Sequence, residues 1–192
     1  MPRKPDPTLK PAIIEKVAEH LHDTKLEAVS VRSLGRVLGT SAYPIVYHFG
    51  SREALIDAVV EHLDRDLADV RLLPDADATA LHDWLVAVFG GLAHRERFLA
   101  ARLTFELGAV ETLDGRERER LVHRRHLATV AAWCTTHGYP ASDAEQAAGE
   151  AIRAARGAQW AALVDPDSTD VDAALRAVAD RLVSGAPLPV AP

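Results

Sequence analysis

Apolar residues recur at helical spacing along most of the chain. Ile14, Val17, Ala18 and Leu21 stand at i, i+3, i+4 and i+7, one face of an α-helix, and predict a first helix over residues 10–22. Ser30 is suited to cap a second helix, whose short buried stripe is Leu34, Val37 and Leu38. Gly39 follows at the position where helix ends favour a positive φ. A third helix starts at Ser41 or Tyr43, with Ile45, Val46 and Phe49 available to pack inward. Pro44 limits it, because proline is tolerated only in a first turn and disfavours the α region one residue earlier. The third helix is therefore expected to start near Tyr43 or Pro44 and to be very short. After the break at Gly50, Ser51 caps a long fourth helix reaching about Leu72. Its apolar stripe is Leu55, Val59, Leu63 and Leu67, and its outer face carries Asp57, Glu61, Asp64 and Arg65.

Beyond Pro74 the pattern predicts five more helices. The fifth carries Leu81, Trp84, Leu85, Val88, Phe89 and Leu92, and the sixth places Phe98, Arg102 and Phe105 on one face. Residues 116–137 follow with Leu127, Val130, Ala131 and Cys134, and Gly138-Tyr139-Pro140 stops them. Residues 142–164 and 170–184 close the series, the last with Val171, Leu175, Val178 and Leu182. The expected fold is all-α, with about nine helices. A three-helix unit over residues 1–50 has the layout of a helix-turn-helix, and residues 51–192 form a larger helical bundle. A basic, proline-rich start with Arg3, Lys4 and Lys10 suggests a mobile arm, and the tail GAPLPVAP suggests a frayed end.

Composition narrows the class. Of 192 residues 48% are hydrophobic but only 5% aromatic, and the dominance of Ala and Leu favours helix over sheet. No apolar run approaches the ~20 residues of a membrane span, and MPRKPDPTLKP lacks the apolar segment of a signal peptide. Cys134 is the only cysteine, which excludes a disulfide framework and a thiolate metal cluster. A cytoplasmic protein with no membrane partner is the expectation.

Charge then singles out one segment. The chain carries net −6, yet between Ser30 and Arg52 it holds Arg32, Arg36 and Arg52 and no Asp or Glu. An acid-free island on a helix-turn-helix points to a polyanion, since the second helix of that device enters the DNA major groove. Thr40, Ser41, Ala42, Tyr43 and Tyr47 are the candidates to reach bases or phosphates. His48 and Arg52 stand beside the helix N-terminus at Ser51, where phosphate binds readily, and Arg32 and Arg36 could clamp the flanking strand.

These residues resemble the DNA-binding domain of the tetracycline-repressor (TetR) family. Members read Thr-Val-Arg-x-Ile-Ala, then Gly-Val-Ser, then Leu-Tyr-x-His-Phe-x-Ser-Lys-Glu-x-Leu. The matching residues here are Ser30-Val31-Arg32-Ser33-Leu34-Gly35, Gly39-Thr40-Ser41, and Ile45-Val46-Tyr47-His48-Phe49-Gly50-Ser51-Arg52-Glu53-Ala54-Leu55. The motif covers roughly residues 13–63. Val46 replaces the family's phosphate-binding Tyr, and Arg52 replaces its Lys as a phosphate donor. The remaining two-thirds resembles the family in length and helix count.

The resemblance implies that the bundle encloses a small-molecule pocket and pairs with a second copy of the chain. Candidate walls are Trp84, Val88, Phe98, Phe105, Trp133 and Trp160, residues that could equally be plain core. Arg102 shares a face with Phe98 and Phe105; it is either a cation for a ligand carboxylate or a solvated partner of Glu106 at i+4. Ala144, Ala148, Ala151, Ala155, Ala158 and Ala162 form a small-residue stripe that admits close helix approach. With Leu175, Val178 and Leu182 of the last helix it could build a homodimer interface, or it could pack within one subunit. A dimer would set two recognition helices ~34 Å apart on a palindromic operator. His123 and His126 have an i, i+3 spacing but no supporting third ligand. No metal or cofactor is expected, and Cys134 is expected to be inert core.

The expected function is a ligand-responsive DNA-binding transcriptional regulator, a repressor that a small-molecule effector releases from double-stranded DNA. It is not expected to be an enzyme, because no HExxH, phosphate loop or nucleophile elbow is present. The alternative, motivated by Pro44 and Val46, is a helical small-molecule-binding protein whose DNA binding is weak or lost.

Overall fold

The computed structural model describes residues 8–67 and 69–185. Most of the expected basic arm and all but the first residue of the proline-rich tail lie outside the described residues. Within them the chain forms ten α-helices and two 3-10 turns, with no strand. No described helix is long and apolar enough to cross a membrane. The chain divides into two compact units, one ending at Arg65 and the other beginning at Asp66.

The first unit contains α1 (Leu9–His22), α2 (Val31–Val37), α3 (Tyr43–Phe49) and α4 (Arg52–Leu63). Helix α1 packs on α2 and α4, and α3 packs on the same two helices. The α1 stripe runs through Ile13 rather than Ile14, with Val17, Ala18 and Leu21 as expected. It meets Leu34, Ile45, Leu55, Ile56, Val59 and Val60, all fully buried. Each such side chain contributes ~1.5–3 kcal/mol, enough to hold helices too short to persist alone.

Two expectations of burial are corrected: Val37 and Val46 face outward, 37% and 52% exposed. Helix α4 also ends at Leu63 instead of near Leu72. The DRDLAD stretch after Leu63 supplies a single large apolar residue, too little to bury another turn. Because α4 packs against α1 and α3, the structural boundary falls at Arg65 rather than at residue 50.

The second unit contains α5 (Ala78–Phe89), α6 (Arg95–Gly108), α7 (Glu111–Asp114), α8 (Arg118–Thr136), α9 (Ala141–Val164) and α10 (Val171–Ser184). Helix α9 is the hub, packing against α8, α10, α5 and α6. Its alanines make that possible, since small side chains let several neighbours approach one helix. Ala148, Ala151 and Ala155 are wholly buried, as are Leu175 and, nearly so, Ala162, Val178 and Leu182. These residues join Leu81, Leu85, Phe89, Val130 and Ile152 in one core. The expected dimer interface on that stripe is therefore corrected: its side chains are buried inside a single subunit. Ala158 is half-buried.

The four-residue α7 lacks the length to show as a periodic pattern. Its anchor is Glu111, 4% exposed, whose carboxylate accepts from the Glu119 and Arg120 backbone N–H groups at 2.9 and 3.0 Å. The carboxylate thus satisfies two of the donors that the start of α8 leaves unpaired, from a position eight residues away in sequence.

Candidate functional site

The α2–α3 junction is fixed by local chemistry. Ser30 Oγ accepts from Ser33 N–H at 3.0 Å, and Ser33 Oγ accepts from Ser30 N–H at 2.8 Å. Serine thus fills both halves of a capping box that usually ends in Glu or Gln, which keeps the segment without acid. At the other end, Thr40 N–H donates to Gly35 C=O at 2.9 Å and Gly39 N–H donates to Arg36 C=O at 3.1 Å. Together they form a Schellman stop, with Gly39 at φ 67°. Gly35 is the point of closest approach. A Cβ there would lie 3.1 Å from Ala42 N, Ser41 C and Thr40 O.

Helix α3 then starts at Tyr43, with Ala42 as N-cap and Pro44 in the first turn. Ser41 Oγ accepts from Tyr43 N–H at 3.3 Å. Ile45 is fully buried, Pro44, His48 and Phe49 are half-buried, and Tyr43, Val46 and Tyr47 are open to solvent. Tyr43 is 69% and Tyr47 57% exposed, and their rings stack at 5.8 Å. Val46 projects on the same face, a role that spacing alone already allowed, since it lies three residues from Tyr43. It can touch a thymine methyl.

Thr40 and Ser41 are exposed beside these rings, and Ala42 is half-buried. Arg32 and Arg36 are exposed one turn apart on α2. His48 is half-buried, with its ring edge-on to Tyr47 at 5.0 Å and to Phe49 at 6.4 Å. Lys10, not among the expected contacts, lies over the Phe49 ring at 5.4 Å.

Arg52 does something other than expected. Its guanidinium donates to Leu26 C=O at 2.6 Å and to Glu53 Oε1 at 2.8 Å, with 24% of the side chain exposed. It ties the loop before α2 to the start of α4. A phosphate contact by Arg52, as expected from the sequence, would have to compete with these two bonds inside the unit.

In the second unit the expected pocket walls stand in differing surroundings. Trp133 is core: 2% exposed, its Nε1 donates to Ala76 C=O at 2.8 Å and its ring stacks on His137 at 3.9 Å. Trp160 is 55% exposed, edge-on to Phe105 at 5.5 Å. Arg102 pairs with Glu106 at 3.4 Å. Phe98 and Val88 are half-buried, and the Val88 carbonyl accepts from Arg97 at 3.0 Å. Trp84 lies perpendicular to His126 at 5.6 Å. A separate open groove of about 650 Å³ is lined by Tyr139, Asp143, Gln146, Glu150 and Arg181, and none of the expected wall residues borders it.

His126 is held neutral: burial and then the Arg156 charge push its pKa down to about 4, with Arg125 and His123 adding to the effect. His123 is shifted the same way, by burial, Arg156 and Arg153. Burial pushes the Cys134 thiol up to about 11, so it is unreactive at neutral pH. Among the described residues no group of three His, Cys, Asp or Glu side chains is placed to hold a metal.

No family model matches the sequence, and no curated protein does. Solved structures match over nearly the whole chain. A transcriptional regulator from Rhodococcus sp. Rha1 aligns with TM-score 0.74 and 19% identity, covering 94% of this chain and 100% of its own. A TetR transcriptional regulator from Rhodococcus sp. RHA1 aligns at 0.59 and 19%, covering 90% and 95%. A TetR variant from Acinetobacter baumannii AYE in complex with minocycline aligns at 0.59 and 19%, covering 95% and 96%. The chain therefore has the fold of the TetR transcriptional regulators.

Proposed function

We propose that this chain is a homodimeric, DNA-binding transcriptional regulator that leaves its operator when the second unit binds a small molecule. One observation carries the reading. The outer face of α3 presents Tyr43, Val46 and Tyr47 to solvent beside Arg32 and Arg36, with no acid from Ser30 to Arg52. Exposed aromatic and cationic side chains on a rigid short helix suit a groove floor flanked by phosphates. Arg32 and Arg36 would set affinity, while Tyr43, Val46 and Tyr47 would set preference. Thr40 and Ser41 would add phosphate or base contacts.

Dimerisation supplies the second half-site that one short helix needs. With the alanine stripe spent inside the subunit, the outer faces of α9 and α10 are the better surface. Gly157, Trp160 and Val164 lie along one side of α9, and Ala173 and Ala177 stand one turn apart on α10, all exposed. A Cβ added at Gly157 would meet nothing within 4 Å, leaving room for a partner backbone. Release by an effector requires that it bind the two conformations of the dimer unequally.

The test is retardation of a duplex from upstream of the chain's own gene, titrated with salt. Wild-type affinity should fall steeply, with a log–log slope set by the phosphates neutralised. The double variant Arg32→Ala, Arg36→Ala should flatten that slope by ~2. A folded dimer that retards no duplex at low salt would support the second reading, a helical small-molecule-binding protein. The engagement of Arg52 with Leu26 and Glu53 is what keeps that reading in view.

A further inference from the structure

We propose that the groove between the α8–α9 turn, the first half of α9 and the last turn of α10 binds a basic amino acid, a small molecule with two amino groups and one carboxylate. The regulatory reading above is needed only to call such a ligand an effector; the site stands on the second unit alone.

The groove has a volume of about 650 Å³, and its frame is tied to the core. The ring of His137 stacks at 3.9 Å on the buried Trp133, and its Nδ1 lies 2.9 Å from the Trp133 C=O. Two residues on, the Tyr139 hydroxyl donates to Leu182 C=O at 2.5 Å. That bond joins the turn to α10 across 43 residues of sequence, so the two walls are held at a set distance.

Charge is what distinguishes this groove. Asp143 and Glu150 line it from α9 and Arg181 from α10. The two carboxylates stand seven residues apart, ~10 Å along the helix axis. Glu150 and Arg181 are both half-buried. Opposite charges that share a groove attract, yet among the described residues no ion pair engages Asp143, Glu150 or Arg181. Asp143 accepts from the Ser142 hydroxyl at 3.0 Å and Glu150 from Gln146 Nε2 at 3.0 Å. Both donors are neutral and cancel no charge.

Two carboxylates and one guanidinium are complemented by a molecule with two cations and one anion. Its carboxylate would take the paired N–H groups of Arg181, and its amino groups would take Glu150 and Asp143. The ~10 Å between those carboxylates calls for amino groups separated by a short aliphatic chain. Ala147, between them on α9, and Leu182 on α10 give that chain an apolar bed. A neutral amino acid would leave Asp143 unmatched, and a simple diamine would leave Arg181 unmatched.

The experiment is an amide proton–nitrogen NMR titration of the isotope-labelled full-length protein with L-lysine, L-norleucine and cadaverine at constant ionic strength. Lysine should shift the amides of residues 137–147 and 181–185 saturably, with Kd ~1 mM or tighter. Norleucine, which lacks the second amino group, and cadaverine, which lacks the carboxylate, should each bind at least ~10-fold more weakly. Arg181→Gln should weaken lysine at least ~10-fold and leave cadaverine as in wild type, a split that a purely structural role would not produce. Glu145→Gln, exposed on α9 outside the groove, should change neither.

The site is refuted if lysine gives no saturable shift up to ~20 mM, if norleucine or cadaverine matches it, or if Arg181→Gln binds lysine as wild type does. Retardation of duplex DNA, measured on the same preparation, separates the two claims. Lysine binding in a protein that retards no duplex supports the site and counts against the regulatory reading. Unmoved groove amides in a protein that retards DNA overturn the site and leave that reading intact.

Discussion

The two units spend their aromatic residues in opposite ways. In the first, Tyr43 and Tyr47 are 69% and 57% exposed and stacked on each other at the surface. In the second, Trp84 and Trp133 are 5% and 2% exposed, with the Trp133 N–H satisfied by Ala76. Leaving two large rings in water forgoes the stabilisation that burial gives, while α3 is held by the buried Ile45 and the half-buried Pro44, His48 and Phe49. The difference teaches where to look for function. Cohesion accounts for the burial of the tryptophans and leaves the exposure of the tyrosines unexplained, which is what motivates the proposed DNA contact. Trp160, exposed against Phe105, is the one aromatic of the second unit that follows the rule of the first.

The sharpest way to break this contrast is to truncate the most deeply embedded ring. Trp133→Ala removes a filled core volume and orphans the Ala76 carbonyl, and should cost ~3–5 kcal/mol. Urea unfolding followed by far-ultraviolet circular dichroism reads it directly. A loss below ~1 kcal/mol would mean that the Trp133 site collapses readily and that its burial is not what holds α8 in place.

Acid should also weaken the second unit selectively. His126 has its pKa lowered from 6.5 to about 4, so below pH 6.5 the unfolded chain takes up a proton that the folded chain refuses. Stability contributed by neutral His126 is therefore full above pH 6.5 and is lost progressively as the pH falls from 6.5 towards 4, by at most ~3 kcal/mol. Carboxylates titrate in part of the same range, so the measurement is a difference. Relative to His126→Gln, the wild type should lose stability steadily as the pH falls from 6.5 to 4, so its urea midpoint should drop more steeply than the variant's over that range. Parallel curves would show that His126 titrates normally in the folded state.

The same contrast explains what the sequence could reveal. In the first unit the signals were local and chemical: Ser30 and Ser51 as caps, Gly39 as the stop, and Pro44 as the limit on where α3 begins. Each acts within four residues, so each could be read without knowing the tertiary fold. The local geometry around the candidate residues followed, apart from that of Arg52 and Val46. The inward bond of Arg52 to Leu26 spans 26 residues, beyond any local rule, and Val46 was assigned to the core on hydrophobicity although its spacing from Tyr43 put it outside.

In the second unit the helices were legible and their faces were not. The alternation of Ala148, Ala151, Ala155 and Ala162 says that another helix comes close, but not whether it belongs to the same subunit. Likewise Trp133 and Trp160 are chemically identical, and only the packing of α9 among four neighbours decides that one is covered and the other bare. The α7 turn escaped because its determinant is a carboxylate eight residues from the amides it serves.

That carboxylate gives the next prediction. Glu111→Ala should expose the Glu119 and Arg120 amides at the start of α8 and cost ~1–3 kcal/mol. Glu111→Gln should recover part of the loss, because the amide oxygen still accepts but carries no charge to favour the helix N-terminus. Hydrogen exchange at residues 118–121 would localise the effect. Uniform loss of protection across the unit, with no excess there, would assign Glu111 to core packing instead.

The smallest stability change should come from the residue with the largest proposed functional weight. Tyr43 touches only Tyr47 among the rings of α3 and is 69% exposed; Tyr43→Ala should alter unfolding free energy by no more than ~0.5 kcal/mol. Its backbone N–H still donates to Ser41 Oγ, so α3 keeps its first turn. Discrimination between operator and scrambled duplex should nonetheless fall, by the ~1–3 kcal/mol that one base-reading contact provides, while the salt slope, set by Arg32 and Arg36, stays as in wild type. Should Tyr43→Ala instead unfold the first unit, the exposed ring would be structural after all, and the contrast between surface tyrosines and buried tryptophans would lose its functional meaning.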